Sequence, residues 1–197
     1  MAVIDRFTFR PADPTVPERV MAAVLDRPHR ITATVDVPPG GAEGVLLAHG
    51  GVAGGYVLFL LHRRLVYTHT SGSYRYERTV VSTMDIPGGP HHLGFEFEPT
   101  GLPDPLTGAG GPGHARLTVD GTRVGYERLL STAPSVLGPG ARLSCGHDPG
   151  PPISSRYRPP FAFTGVLRHV TVEVSASEAV TASAGGTRRP RRSPVPY

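Results

Sequence analysis

A chain of 197 residues with 39% hydrophobic side chains can build one large domain, but its longest apolar run, Tyr56 to Leu61, falls far short of the roughly 20 residues that cross a bilayer. A single cysteine, Cys145, excludes an internal disulfide framework. The net charge of +4 resides in Arg188, Arg189, Arg191 and Arg192; the rest of the chain is neutral, which argues against a nucleic-acid partner.

The opening Met1-Ala2-Val3-Ile4-Asp5-Arg6 has neither the charged start nor the apolar run of a secretory signal, so the expectation is a cytoplasmic protein. Alternation of apolar and polar residues begins weakly at Arg6 to Arg10, and Val16 to Leu25 hints at a short helix. Clear strand patterns follow at Arg30 to Val37, Gly44 to His49, Tyr56 to Leu61, Arg64 to Thr70 and Tyr76 to Thr83. His92 to Glu98 sets Leu93, Phe95 and Phe97 on one face. Residues 114–128 read as a hairpin about Asp120-Gly121, with Ala115, Leu117 and Val119 alternating before the turn and Val124 and Tyr126 after it. A last strand runs from Gly165 to Val174, with Val166, Val170, Val172 and Val174 in one parity.

The 25 glycines and 22 prolines fall mostly between these runs, as turns joining many short strands require. About ten strands with short connections predict an all-β fold, a two-sheet antiparallel β-sandwich of jelly-roll type. Two segments interrupt the pattern: Pro99 to Gly113, and a Pro-rich stretch from Gly146 to Pro160 that carries His147, Asp148, Arg156, Tyr157 and Arg158. Polar and aromatic residues in such a loop are where a sandwich places function. Residues 1–176 form the sandwich domain; 177–197 read as a disordered Arg/Pro-rich tail.

His29-Arg30-Ile31-Thr32-Ala33-Thr34-Val35, then Pro39-Gly40-Gly41-Ala42-Glu43-Gly44-Val45-Leu46-Leu47-Ala48-His49-Gly50-Gly51 and Gly54-Gly55-Tyr56, resemble the C-terminal region of bacterial arylsulfatases. The similarity continues through Leu117-Thr118-Val119-Asp120-Gly121, Gly146-His147-Asp148 and Pro160-Phe161-Ala162-Phe163-Thr164-Gly165, covering about residues 5–176. The resemblance implies a concanavalin-like or laminin-G-like sandwich without the sulfatase catalytic domain. Sulfatase activity is not implied, because Cys145 is followed by Gly146-His147-Asp148 rather than by the C/S-x-P-x-R signature. No asparagine or glutamine exists to complete a sulfatase metal site. Relative to the family pattern, His49, His69 and His147 each introduce an imidazole.

These residues give two functional expectations. The first is a non-catalytic binding or assembly module that takes a small molecule or carbohydrate on a concave sheet, with Tyr56, Tyr76, Arg78, His147, Asp148 and Tyr157 as ligand-binding residues. Its partners could include a second copy of the chain or a sulfatase-like enzyme. The second is an isomerase or cyclase acting on a small metabolite through His49, His69 and Tyr67, since neutral-range imidazoles and phenols exchange protons. No metal-ligand spacing is present. Asp148 could serve a calcium ion at a loop rim, against the plainer expectation that it pairs with Arg156 or Arg158 or caps a turn. Cys145 alternates with Leu143 and reads as a buried apolar residue.

Overall fold

The computed structural model describes residues 4–11, 16–17, 27–51, 54–71, 77–106, 108–133 and 140–175. These form twelve strands: β1 (Ile4–Phe9), β2 (Val16–Pro17), β3 (His29–Val37), β4 (Gly44–Gly51), β5 (Gly54–Leu61), β6 (Arg64–Ser71), β7 (Arg78–Val81), β8 (Gly89–Pro99), β9 (Gly113–Val119), β10 (Thr122–Leu129), β11 (Arg142–Cys145) and β12 (Val166–Ser175). Sheet A has the order β1-β12-β3-β8-β9-β10 and sheet B the order β2-β11-β4-β5-β6-β7, and every strand pair within them is antiparallel. The expected all-β sandwich is present.

Alternation explains sheet A. Ile31, Ala33, Val35 and Val37 on β3, Leu93, Phe95 and Phe97 on β8, and Ala115, Leu117 and Val119 on β9 are all buried against sheet B. A period-2 pattern can bury only one face, so Arg30, Thr32, Glu96, Arg116 and Thr118 point the other way. Sheet B differs. Its central strands carry continuous apolar runs, Val45-Leu46-Leu47-Ala48 and Tyr56-Val57-Leu58-Phe59-Leu60, and both parities are buried. Leu47, Tyr56, Leu58, Leu60, Leu65 and Tyr67 join the inter-sheet core, while Val45, Ala48, Val57, Phe59 and Val66 form a second cluster with Ile153 and Tyr157.

That second cluster is closed by the Pro-rich stretch, which is a cover over the outer face of sheet B and not an exposed loop. Ile153, Ser154 and Tyr157 are buried. Phe59, Tyr157 and Phe161 pack ring on ring at centroid distances of 5.1–6.3 Å. Val45 N donates to Phe161 O at 3.0 Å, and Asp148 N donates to Pro160 O at 3.0 Å. At the tip, Ser154 Oγ donates to Glu77 Oε1 at 2.6 Å and Ser155 N to Glu77 Oε2 at 3.0 Å.

Three departures from simple alternation have local causes. The hairpin turn Asp120-Gly121 has φ of 50° and 79°, the mirror-image turn that Asp-Gly favours. Beyond it a bulge at Val124 shifts the register, so Val124 is buried while Tyr126 faces outward, 48% exposed, and not on Val124's face as expected. A bulge at Arg168 likewise turns Val166 out and Leu167 in. Val16–Pro17 is a two-residue strand on β11 instead of a helix start; residues 18–26 lie outside the described residues, as do 177–197. The short β2 was invisible in the sequence because two residues are too few to show a period, whereas β11 showed only the alternation of Leu143 and Cys145.

Gly44 has φ of +119°, and a Cβ there would meet Ala162 O at 2.3 Å and Phe163 Cα at 2.4 Å. Gly44→Ala is expected to cost about 3 kcal/mol or more in urea unfolding and to open the cover to proteolysis. Gly40→Ala, with nothing within 4 Å of its Cβ, should leave both unchanged.

Candidate functional site

Register brings three of the candidate residues into one row. His49 pairs with Tyr56 and Tyr56 with His69 across β4, β5 and β6, and Leu143 flanks the row from β11. All face the inter-sheet core. His49 and Tyr56 are 0% exposed, and Tyr67 and His69 are 2% exposed, so a solvent-borne substrate does not reach them in this conformation. The His49 ring meets Tyr56 edge-on at 5.3 Å, Tyr67 lies 6.1 Å from His69, and Tyr67 stacks on Phe95 at 3.5 Å.

Both nitrogens of His49, Tyr56 Oη and His69 Nδ1 are buried without a hydrogen-bond partner, and each such atom costs about 1–3 kcal/mol of desolvation. Burial pushes His49 down to about 4. Burial also pushes His69 down to about 4, against a backbone hydrogen bond at Ser131 and with the nearby Arg78 adding to the depression. Burial raises both tyrosines above the ordinary phenol value, and Tyr56 adds to the rise at Tyr67. The cluster is therefore uncharged at neutral pH.

The expected ligand-binding residues divide among several places. Tyr56 is in this interior row. Asp148 and Tyr157 are inside the cover: Tyr157 Oη donates to Asp148 Oδ2 at 2.5 Å, and Gly150 N donates to Asp148 Oδ1 at 2.9 Å. Asp148 thus caps a turn; Arg156 approaches Glu77 instead, at 4.0 Å. His147 and Arg78 are exposed at separate points. Tyr76 lies outside the described residues. Cys145 is buried. Among the described residues no three His, Cys, Asp or Glu side chains converge as a metal site would require.

The open surface is the outer face of sheet A. There Arg6, Glu173, Arg30, Glu96, Arg116 and Tyr126 occupy one continuous row across six strands. Arg6 Nε donates to Glu173 Oε1 at 2.9 Å, Arg30 Nη2 lies 2.8 Å from Glu96 Oε1, and Arg116 Nη2 lies 2.9 Å from Glu98 Oε2. A depression of about 380 Å³ lies over the middle of the row, at Glu173, Arg30, Glu96 and Arg116, and extends along the strands to Pro28, Glu98 and Ser175. At the β10 end of the row the Tyr126 ring stacks on His114 at 5.7 Å, with Tyr126 Oη and His114 Nδ1 2.7 Å apart and the Arg123 guanidinium 5.9 Å from the ring centre. The next row inward is Thr8, Thr171, Thr32, Gly94 and Thr118. At Gly94 a Cβ would meet Thr118 Oγ1 at 2.2 Å.

None of these row residues stood out in the sequence. Each is one outward position on a different strand, and only the register aligns them. Tyr126 had one signal: a glycine, Gly125, inside a strand often marks a bulge.

No family model and no curated protein matches the sequence. Among solved structures, the chain is similar to the CBM40 domain of the Ruminococcus gnavus IT-sialidase, with 9% identity over 81% of this chain and 82% of that one and a TM-score of 0.51. The fold is a concanavalin-like β-sandwich of two antiparallel sheets. The same domain bound to α2,3 sialyllactose matches with 10% identity over 78% of each chain and a TM-score of 0.49. Mouse laminin α1 chain domains LG4-5 match with 13% identity over 85% of this chain and 38% of that one, at 0.47. At these identities the likeness is one of fold, and it does not speak for the arylsulfatase resemblance.

The interior histidines set a pH dependence. Unfolded, they titrate near 6.5; folded, near 4. Between those values the unfolded chain binds more protons, so stability is full above about pH 6.5 and is lost as pH falls toward 4, by roughly 3 kcal/mol per histidine. The urea midpoint should drop across that window. The doubly substituted His49→Leu, His69→Leu chain should show a flatter profile.

Proposed function

We propose that this sandwich is a non-catalytic binding module for neutral, hydroxyl-rich carbohydrate, and that the ligand lies on the outer face of sheet A. One observation carries the reading: the Arg/Glu row with an exposed tyrosine at its end occupies an open face, whereas the central strands of sheet B are buried on both sides. A sugar offers oxygens that accept from guanidinium N–H groups, hydroxyls that donate to carboxylates, and an apolar ring face that rests on an aromatic. Such groups held by rigid, register-paired strands need little ordering on binding.

Each guanidinium in the row already faces a carboxylate: Arg6 with Glu173, Arg30 with Glu96, and Arg116 with Glu98. An anionic ligand would compete with those carboxylates. A neutral one can bridge the pairs without breaking them, and screening by salt should matter little to it.

Isothermal titration against soluble neutral oligosaccharides tests the reading. Binding to at least one is expected, changing less than about twofold between low and high salt. Arg116→Ala should weaken it roughly tenfold or more by removing hydrogen bonds to a charged donor, and Tyr126→Ala by roughly threefold to tenfold. Arg142→Ala, on sheet B, should leave it unchanged. Absence of binding across the series, or binding indifferent to the Arg116 and Tyr126 substitutions, would overturn the reading.

A further inference from the structure

Resting on the carbohydrate reading, we infer that the ligand is an extended, β-1,4-linked polysaccharide chain that crosses sheet A perpendicular to its strands, one sugar per strand. The observation is the direction and period of the row. Its six positions lie on six successive strands, β1, β12, β3, β8, β9 and β10, in unbroken register. Adjacent strands are about 4.8 Å apart, so the six strands of the row span roughly 24 Å. That strand spacing is close to the rise per sugar in an extended 1,4-linked pyranose chain.

The chemistry along the row repeats with the same geometry. Cation and carboxylate alternate strictly, Arg6, Glu173, Arg30, Glu96, Arg116, so the repeat is two strands, roughly 9.6 Å. In an extended β-1,4-linked chain successive rings flip by half a turn, so the chain too repeats every two sugars. One ring presents an oxygen to a guanidinium where the next presents a hydroxyl to a carboxylate. The depression spans four of these six strands, with lining from β12, β3, β8 and β9. Tyr126 at one end and Arg6, with 68% of its side chain exposed, at the other would hold the terminal sugars of the bound segment. An α-1,4-linked chain carries the same hydroxyls on a curved path and would leave the row after two or three strands.

The experiment is a chain-length series measured by calorimetry on the full-length protein, using β-1,4-linked gluco-, manno- and xylo-oligosaccharides of two to eight units, with malto-oligosaccharides as the curved control. In at least one β-1,4 series, affinity should rise about threefold or more with each unit up to five or six and then level off. The maltohexaose of equal length should bind at least tenfold more weakly than that β-1,4 hexamer. Arg6→Ala should remove the gain between trimer and hexamer while leaving the trimer within about twofold, because Arg6 lies at the far end from Tyr126. Affinity that levels off at one or two sugars, or equal affinity for the α- and β-linked hexamers, would overturn this inference while leaving the carbohydrate reading in place. Failure of every oligosaccharide to bind would overturn both.

Discussion

The structure depends on sheet B being buried on both faces. Its strands are apolar at every position from Val45 to Ala48 and from Tyr56 to Leu60, and a two-layer sandwich can cover only one side of them. The segment from Gly146 to Phe163 supplies the missing third layer. Its hold is mixed: ring packing of Tyr157 and Phe161 on Phe59 gives apolar burial, and Asp148 and Glu77 satisfy polar groups that the crossing would otherwise strand. With the centre of that face closed, the proposed recognition surface is sheet A, whose alternation keeps one face largely polar.

Polarity alone would not make that face a site. The proposed site rests on the conversion of scattered outward residues into a line by antiparallel register. The Val124 bulge completes it, turning Tyr126 out beside Arg116 and adding a tyrosine to a surface that carries arginines, glutamates, threonines and histidines. The interior row of His49, Tyr56 and His69 plays a different part. Its polar atoms lie in the core at a cost, uncharged at neutral pH, and they make that end of the sandwich sensitive to acid.

The fold was legible in the sequence to the extent that it rests on period 2. The alternation of Ile31, Ala33, Val35 and Val37, and the Asp120-Gly121 turn, predict elements that the structure contains. Two kinds of feature were not legible. Bulges reverse the parity of everything beyond them, which misplaced Tyr126 and Val166. Which face of a both-sided apolar strand meets the other sheet is set by what covers the second face, and nothing within Gly54–Leu61 says that a segment some ninety residues later will do so. The described residues expected to bind ligand therefore lie on sheet B and its cover, where the chemically conspicuous side chains are. The row on sheet A escaped notice because arginines and glutamates on separate strands look like ordinary solvated positions until pairing places them side by side.

The central claim is that the outer face of sheet A is the recognition surface and that the cover on sheet B takes no direct part. An amide and arginine side-chain NMR perturbation map of the full-length chain, recorded with saturating hexamers of β-1,4-linked glucose, mannose and xylose, tests it most directly. The account predicts shifts along Arg6, Glu173, Arg30, Glu96, Arg116 and Tyr126, with residues 146–163 and the row from His49 to His69 unmoved. Shifts concentrated in the cover or in that interior row, with sheet A silent, would contradict it.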